Sequence, residues 1–195
     1  MRIVDLLMGI IIEPSSTMKK VTARRPVGVA LIISLSVLFL QNLTYWALQR
    51  VEPFFSSYFV SEHYLLEILL TVIFLLLGVL FMISVFQVVA KLFGATWNFW
   101  GLFSGICFAQ FIFIFFPLIS LAGFLTDPAI FLLLNLLLVI WYNILAILAI
   151  KESLSLSIGQ AVATYFLSIL ALIILFFILV LVGFVIVTLF SIAFV

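Results

Sequence analysis

The chain has 195 residues, of which 68 % are hydrophobic and 8 % charged, with a mean hydropathy of +1.56 and a formal net charge of +1. A soluble domain carries about a quarter charged residues, and the longest stretches suited to water here, about residues 13–26 and 49–63, fall far short of the ~50 residues of a small independent domain. A soluble fold, an attached nucleotide-binding or catalytic module and ATP-driven transport by this chain alone are therefore excluded, and with no nucleic-acid motif no nucleic-acid partner is expected.

Uncharged runs cover residues 26–49, 68–90, 92–126, 128–150 and 153–195, and each reaches the ~20 residues a helix needs to cross a bilayer. Ahead of them, Arg2 to Ile12 forms a short apolar stretch with Asp5 inside it. Ten such residues make only about 15 Å of helix, and no small-residue cleavage site follows at Glu13-Pro14-Ser15, so an interfacial helix is predicted rather than a cleaved signal peptide. Pro14 suits the first turn of a second short helix, Ser15 to Arg25, which Pro26 ends. At 100° per residue, its Lys19, Lys20, Arg24 and Arg25 form a broad collar, a candidate contact for anionic lipid or for a partner.

The first span is placed at 27–48 and closes on Tyr45 and Trp46, residues of the interfacial belt. A headgroup-level loop with Arg50, Glu52, Pro53, Tyr58 and His63 leads to the second span, 64–90. Its Glu67 stands four residues from His63, a spacing read as a surface pair. Lys91 and Gly94 mark the end of that helix, and Thr96 is the expected N-cap of the third span, 99–124, which Pro117 should kink. Asp127-Pro128 opens the fourth, 129–150, and Lys151-Glu152 ends it. Ser157-Ile158-Gly159-Gln160 is a capping box for the fifth, placed at about 161–190. The uncharged tail from Ala161 is too long for one upright span and too short for two.

The predicted fold is an all-α polytopic bundle of five transmembrane helices, residues 27–195, behind a cytoplasmic segment of short interfacial and basic helices, residues 1–26. Five spans put Arg2, Lys19, Lys20, Arg24, Arg25, Lys91 and Lys151 on one side and Arg50 alone on the other. The positive-inside rule then makes the N-terminus cytoplasmic and the C-terminus external.

Chemistry is sparse. His63 is the one histidine, Glu67 the one acid within a span, and Cys107 lies in an apolar run as a small buried hydrophobe with no partner for an intrachain disulfide. Catalytic residues, cofactors and metals are accordingly not expected. Ser104 has no histidine or lysine placed to activate it. Its flanking Gly101 and Gly105 form a G-x-x-x-G pattern that suits close helix packing inside the bundle. Six amides, Gln41, Asn42, Gln87, Gln110, Asn135 and Asn143, fall within the spans. They are read as hydrogen-bonding glue between helices, with a polar seam lining a path as the alternative.

The run Glu13-Pro14-Ser15-Ser16-Thr17-Met18-Lys19-Lys20-Val21-Thr22-Ala23-Arg24-Arg25-Pro26 before a first span resembles the prokaryotic branch of the Yip family, the Ypt/Rab-interacting five-span membrane proteins. Ile150-Lys151-Glu152-Ser153-Leu154-Ser155-Leu156-Ser157-Ile158-Gly159-Gln160-Ala161 and the glycine turn Phe93-Gly94-Ala95-Thr96-Trp97-Asn98-Phe99 are similar to that branch as well. The resemblance implies a non-enzymatic scaffold of the membrane, in a prokaryotic cell (inner) membrane, that organises it or serves trafficking. Its expected partners are anionic lipids on the cytoplasmic side, other membrane proteins or further copies of itself. Eukaryotic relatives meet small GTPases and carry a long cytosolic N-terminal region; with about 26 residues before the first span, a small GTPase is not the expected partner here. A passive transporter, channel or lipid-handling bundle that uses the amide seam is the competing reading.

Overall fold

A computed structural model describes residues 3–51 and 64–193. The apolar N-terminus forms α1, Ile3–Ile12, which buries Leu6 and Ile10 and leaves Ile3, Val4, Met8 and Ile12 exposed. A ten-residue helix with apolar side chains on its open faces suits an interface rather than water. Helix α2, Pro14–Arg24, follows after Glu13 alone and folds back on α1. Gly9 permits that turn, since a Cβ there would collide with the Thr17 side chain. The face of α2 formed by Thr17, Met18, Val21 and Thr22 is buried, while its basic residues stay exposed. Arg25 ends the helix in a left-handed conformation (φ 53°), and its N–H donates to the Val21 carbonyl at 2.9 Å.

The five long elements follow in the expected order. They are α3, Val27–Val51; α4, Tyr64–Ala90; α5, Phe99–Ala109, continued by a 3-10 segment Gln110–Phe115 and by α6, Phe116–Leu125; α7, Pro128–Leu154; and α8, Ile158–Ala193. Within them, Val27–Tyr45, Leu69–Phe93, Phe99–Gly123, Ala129–Leu154 and Ile158–Val185 are long and apolar enough to cross a membrane. Among the described residues there is no strand. The chain is an all-α, five-span membrane bundle.

Local chemistry explains most boundaries. Gly94, at φ 75°, closes the 3-10 turn Lys91–Phe93 after α4. Asp127 Oδ1 accepts from the Ala129 N–H at 2.7 Å ahead of Pro128. Ser157 Oγ accepts from Gln160 N–H at 3.3 Å while Gln160 Oε1 accepts from Ser157 N–H at 2.9 Å, a reciprocal capping box.

Three boundaries differ from expectation. Asn98, not Thr96, caps α5: its Oδ1 accepts from Gly101 N–H at 3.2 Å and its Nδ2 donates to the Ser153 carbonyl at 3.1 Å, two groups that the amide reaches with separate atoms. Thr96 instead ties its own N–H to the Leu154 carbonyl at 3.4 Å. The disturbance assigned to Pro117 lies upstream, in the 3-10 segment Gln110–Phe115, so the proline enters the first turn of α6, where a missing N–H costs no hydrogen bond. Finally, α7 runs through Lys151-Glu152 to Leu154, because Ser155 takes the left-handed cap (φ 56°) and returns its N–H to Lys151 O.

Helix α5 is the axis of the packing. Every residue from Gly101 to Ala109 is buried, against α2, α3 and α7. Gly105 permits a close approach: a Cβ there would stand 2.8 Å from Ala149 Cβ on α7 and 3.1 Å from Thr22 Cγ2 on α2. Burial is concentrated at the α2 end of the bundle. On α3 it stops after Leu38, on α4 it begins only at Val79, and on α8 it is confined to Ala161, Thr164 and Ser168 among the described residues. In an apolar 18-residue stretch of the α5–α6 span 56 % is buried, against 6 % in the corresponding stretch of α8, so α5 is central and α8 peripheral.

Candidate functional site

Two sets of polar residues stand out from this apolar frame. The first is the basic collar on α2. Lys19, Lys20, Arg24 and Arg25 are all exposed, but the fold divides them. Lys19 and Arg25 line a pocket of about 510 Å³ between α2, the turn before α5 and the end of α7, while Lys20 and Arg24 lie outside it. Lys151 joins the pocket from α7, with its Nζ 2.6 Å from Glu152 Oε1. Nearby, Lys91 Nζ stands 5.1 Å over the Trp97 ring, a cation–π contact at an exposed position worth about 0.5–1 kcal/mol.

The six intramembrane amides do not form one chain. Gln110 accepts from the Ser34 hydroxyl at 2.6 Å, a bond between α3 and the 3-10 segment. Asn143 accepts from the Tyr165 hydroxyl, joining α7 to α8. Asn42 donates to the Leu38 carbonyl of its own helix at 2.9 Å. Gln87 is 2 % exposed, and neither of its side-chain polar atoms has a hydrogen-bond partner among the described residues. Gln41 and Gln110 line a crevice of about 310 Å³ with Ser34 and Tyr142; Asn135, half-buried on α7, and Asn143 do not reach it. Among the described residues no hydrogen bond joins two of the six amides.

Of the glycine pair, Gly105 packs α5 on α7 and α2, whereas Gly101 makes room for the Asn98 cap, whose side chain a Cβ would strike. Ser104 is fully buried, and its hydroxyl has no hydrogen-bond partner among the described residues. Cys107 is buried in the same helix. Among the described residues no cluster of three His, Cys, Asp or Glu could hold a metal ion. His63 lies outside the described residues, and Glu67 is described for its backbone only.

Sequence reasoning overlooked the Ser34 and Tyr165 donors and the convergence of Lys151 with Lys19 and Arg25. The first two depend on which helices adjoin, which periodicity does not specify. Asn98 was open to detection, since an asparagine directly ahead of an apolar run is as good a cap as a threonine.

Fold and polar residues together define an integral, multi-pass helical membrane protein. A family model for the Yip1 domain matches residues 8–182. The chain belongs to the Yip1 family. No curated protein and no solved structure matches it.

Proposed function

We propose that this Yip1-family protein is a non-enzymatic scaffold that organises the membrane around it by binding lipids and other membrane proteins or further copies of itself. In this reading it resides in a prokaryotic inner membrane, with the α2 collar on the cytoplasmic side. The observation that carries the reading is the dispersal of the amides: Gln110 and Asn143 are engaged by Ser34 and Tyr165 at separate helix contacts, so these two act as local glue and do not line one path together. The broad apolar faces of α4 and α8 are then surface available to lipid or to neighbouring proteins.

The crevice beside Gln41 and Gln110 favours the second reading, passive passage of a small polar solute. Flux separates the two. The purified chain is reconstituted into liposomes and the leak of glycerol, urea and potassium is compared with empty liposomes, alongside cross-linking in native membranes. Leak equal to that of empty liposomes, together with cross-linked membrane proteins, is the expected result. Solute flux abolished by Gln110→Leu would replace the scaffold by a transporter.

A further inference from the structure

We propose that the pocket between α2, α5 and α7 is a binding site for the phosphate of an anionic phospholipid, held by Lys19, Arg25 and Lys151; the proposal deepens the lipid-binding part of the function above and rests on it. Two stretches of chain more than a hundred residues apart in sequence, Lys19 to Arg25 and Lys151 to Ser155, converge on one cavity of about 510 Å³. That volume lies within the ~300–1,000 Å³ typical of small-molecule sites.

The pocket is electropositive after every local charge is considered. Glu152 neutralises one of the three cations, and the pair it forms with Lys151 is closed at 2.6 Å. The carbonyl ends of α2 and α7 each contribute about half a negative charge, and the N-terminal end of α5 returns about half a positive one. Between one and two positive charges remain. Lys19 and Arg25 have no carboxylate within ion-pair distance among the described residues.

Neutral donors complete the cradle. Thr96 and Ser155 line the pocket, and their hydroxyls are engaged in no hydrogen bond among the described residues, so each can turn to a phosphate oxygen. Asn98 is different, because its amide already bridges Gly101 N–H and Ser153 O. It holds the wall.

The neighbouring tryptophans identify the bilayer as the source of the phosphate. Trp97 in the pocket wall and Trp100 one helical turn further are 59 % and 51 % exposed, and exposed indoles at the end of a span sit at headgroup depth. A phosphate entering here arrives on a lipid whose acyl chains run down the apolar side of the bundle. It would link α2 to the α7–α8 elbow without touching Lys20 or Arg24.

The test uses the full chain in nanodiscs of phosphatidylcholine with one-fifth phosphatidylglycerol, a proportion of about 20 %, chosen to leave neutral lipid in excess. Lipid retained after gentle extraction is counted by native mass spectrometry. The pocket pair Lys19→Gln with Arg25→Asn is compared with the outer pair Lys20→Gln with Arg24→Gln; asparagine is chosen at position 25 because it tolerates the left-handed backbone. At about fivefold per cation, the pocket pair should weaken retention of phosphatidylglycerol by roughly twentyfold or more, and the outer pair by much less. Ser155→Asp, which adds a carboxylate at a left-handed position that aspartate accepts, should expel the lipid, while the neutral Ser155→Asn retains it.

Equal losses from both pairs would overturn the pocket and leave a diffuse lipid-binding collar, with the broader reading intact. Retention unaffected by the pocket pair or by Ser155→Asp would likewise overturn it. Binding of inorganic phosphate with no retained lipid would overturn the lipid source. Absence of any retained anionic lipid on the unaltered chain would overturn both the pocket and the lipid-binding part of the scaffold.

Discussion

At Gly105 the packing leaves no room for a side chain. Its missing Cβ would lie 2.8 Å from Ala149 Cβ, a distance real carbon atoms do not adopt, and both helices there are fully packed. Gly105→Val should therefore cost about 1–3 kcal/mol through overpacking, read as a lowered unfolding temperature in detergent. Gly78, where an added Cβ meets nothing within 4 Å, is the matched control. Gly78→Ala should stabilise by roughly 0.5–1 kcal/mol, because it restricts the unfolded chain and disturbs no neighbour. The Ser34–Gln110 bond makes a smaller claim. Ser34→Ala should cost about 0.6–2 kcal/mol, the range of interhelical hydrogen bonds in membranes, and should leave the apolar wall of Val37 and Leu38 in place.

Caps and breaks decide the elements. Asn98→Ala removes a cap and also frees the Ser153 carbonyl, so about 1–2 kcal/mol should be lost, whereas Thr96→Ala should change stability by less than about 0.5 kcal/mol. Thermal unfolding of the two variants side by side checks the assignment. Spans were legible in the sequence because charge and apolar length alone determine what can cross a bilayer; Asp127-Pro128, Gly94 and the Ser157–Gln160 box were legible because their chemistry is local. The end of α7 was not, since Ser155 in a left-handed conformation resembles any other serine until Thr96 N–H is seen bonded to the Leu154 carbonyl. The kink expected at Pro117 was misplaced: the irregular stretch is the preceding 3-10 segment, and no single residue of Gln110–Phe115 marks it in the sequence.

Helix α8 poses a question of length. Its 36 residues make about 54 Å of helix, against a hydrocarbon core of ~30 Å and a usual tilt of ~20°. The helix runs unbroken through Gly183 to Ala193. The excess must then leave the hydrocarbon as helix. On a Cys107→Ala background, a cysteine introduced at Phe177 should resist a membrane-impermeant maleimide, and one introduced at Ile192 should react with it.

For the whole molecule, five spans and seven basic residues against one predict opposite sides for the two termini. A reporter fused after Val195 should behave as external, and labelling of that end from the cytoplasm would break the scheme. The basic collar was visible in the sequence as a set of four. Its division into Lys19 and Arg25 inside a pocket and Lys20 and Arg24 outside was not, because the missing wall comes from Lys151 and Ser155, and only tertiary folding brings those to α2.

The deeper burial of side chains at the α2 end and their greater exposure at the other give the two halves of the protein different tolerances to change. Near α2, a side chain such as Phe108, Leu145 or Ile150 is shaped against protein on every side, and exchanging one apolar residue for another alters volumes that nothing can absorb. Towards the far end, Leu132, Phe176 or Leu181 faces outward, and a lipid tail is as apolar as leucine and accommodates any comparable shape. Leucine, isoleucine, valine and phenylalanine are close to interchangeable there. Homologous chains should accordingly drift fastest through the far halves of α4, α7 and α8 while keeping composition constant, and the information that specifies this fold is written in roughly the half of each span nearest α2. A library that shuffles apolar residues separately in the two halves, scored by folded yield in the membrane, should return many survivors from the far half and few from the near one.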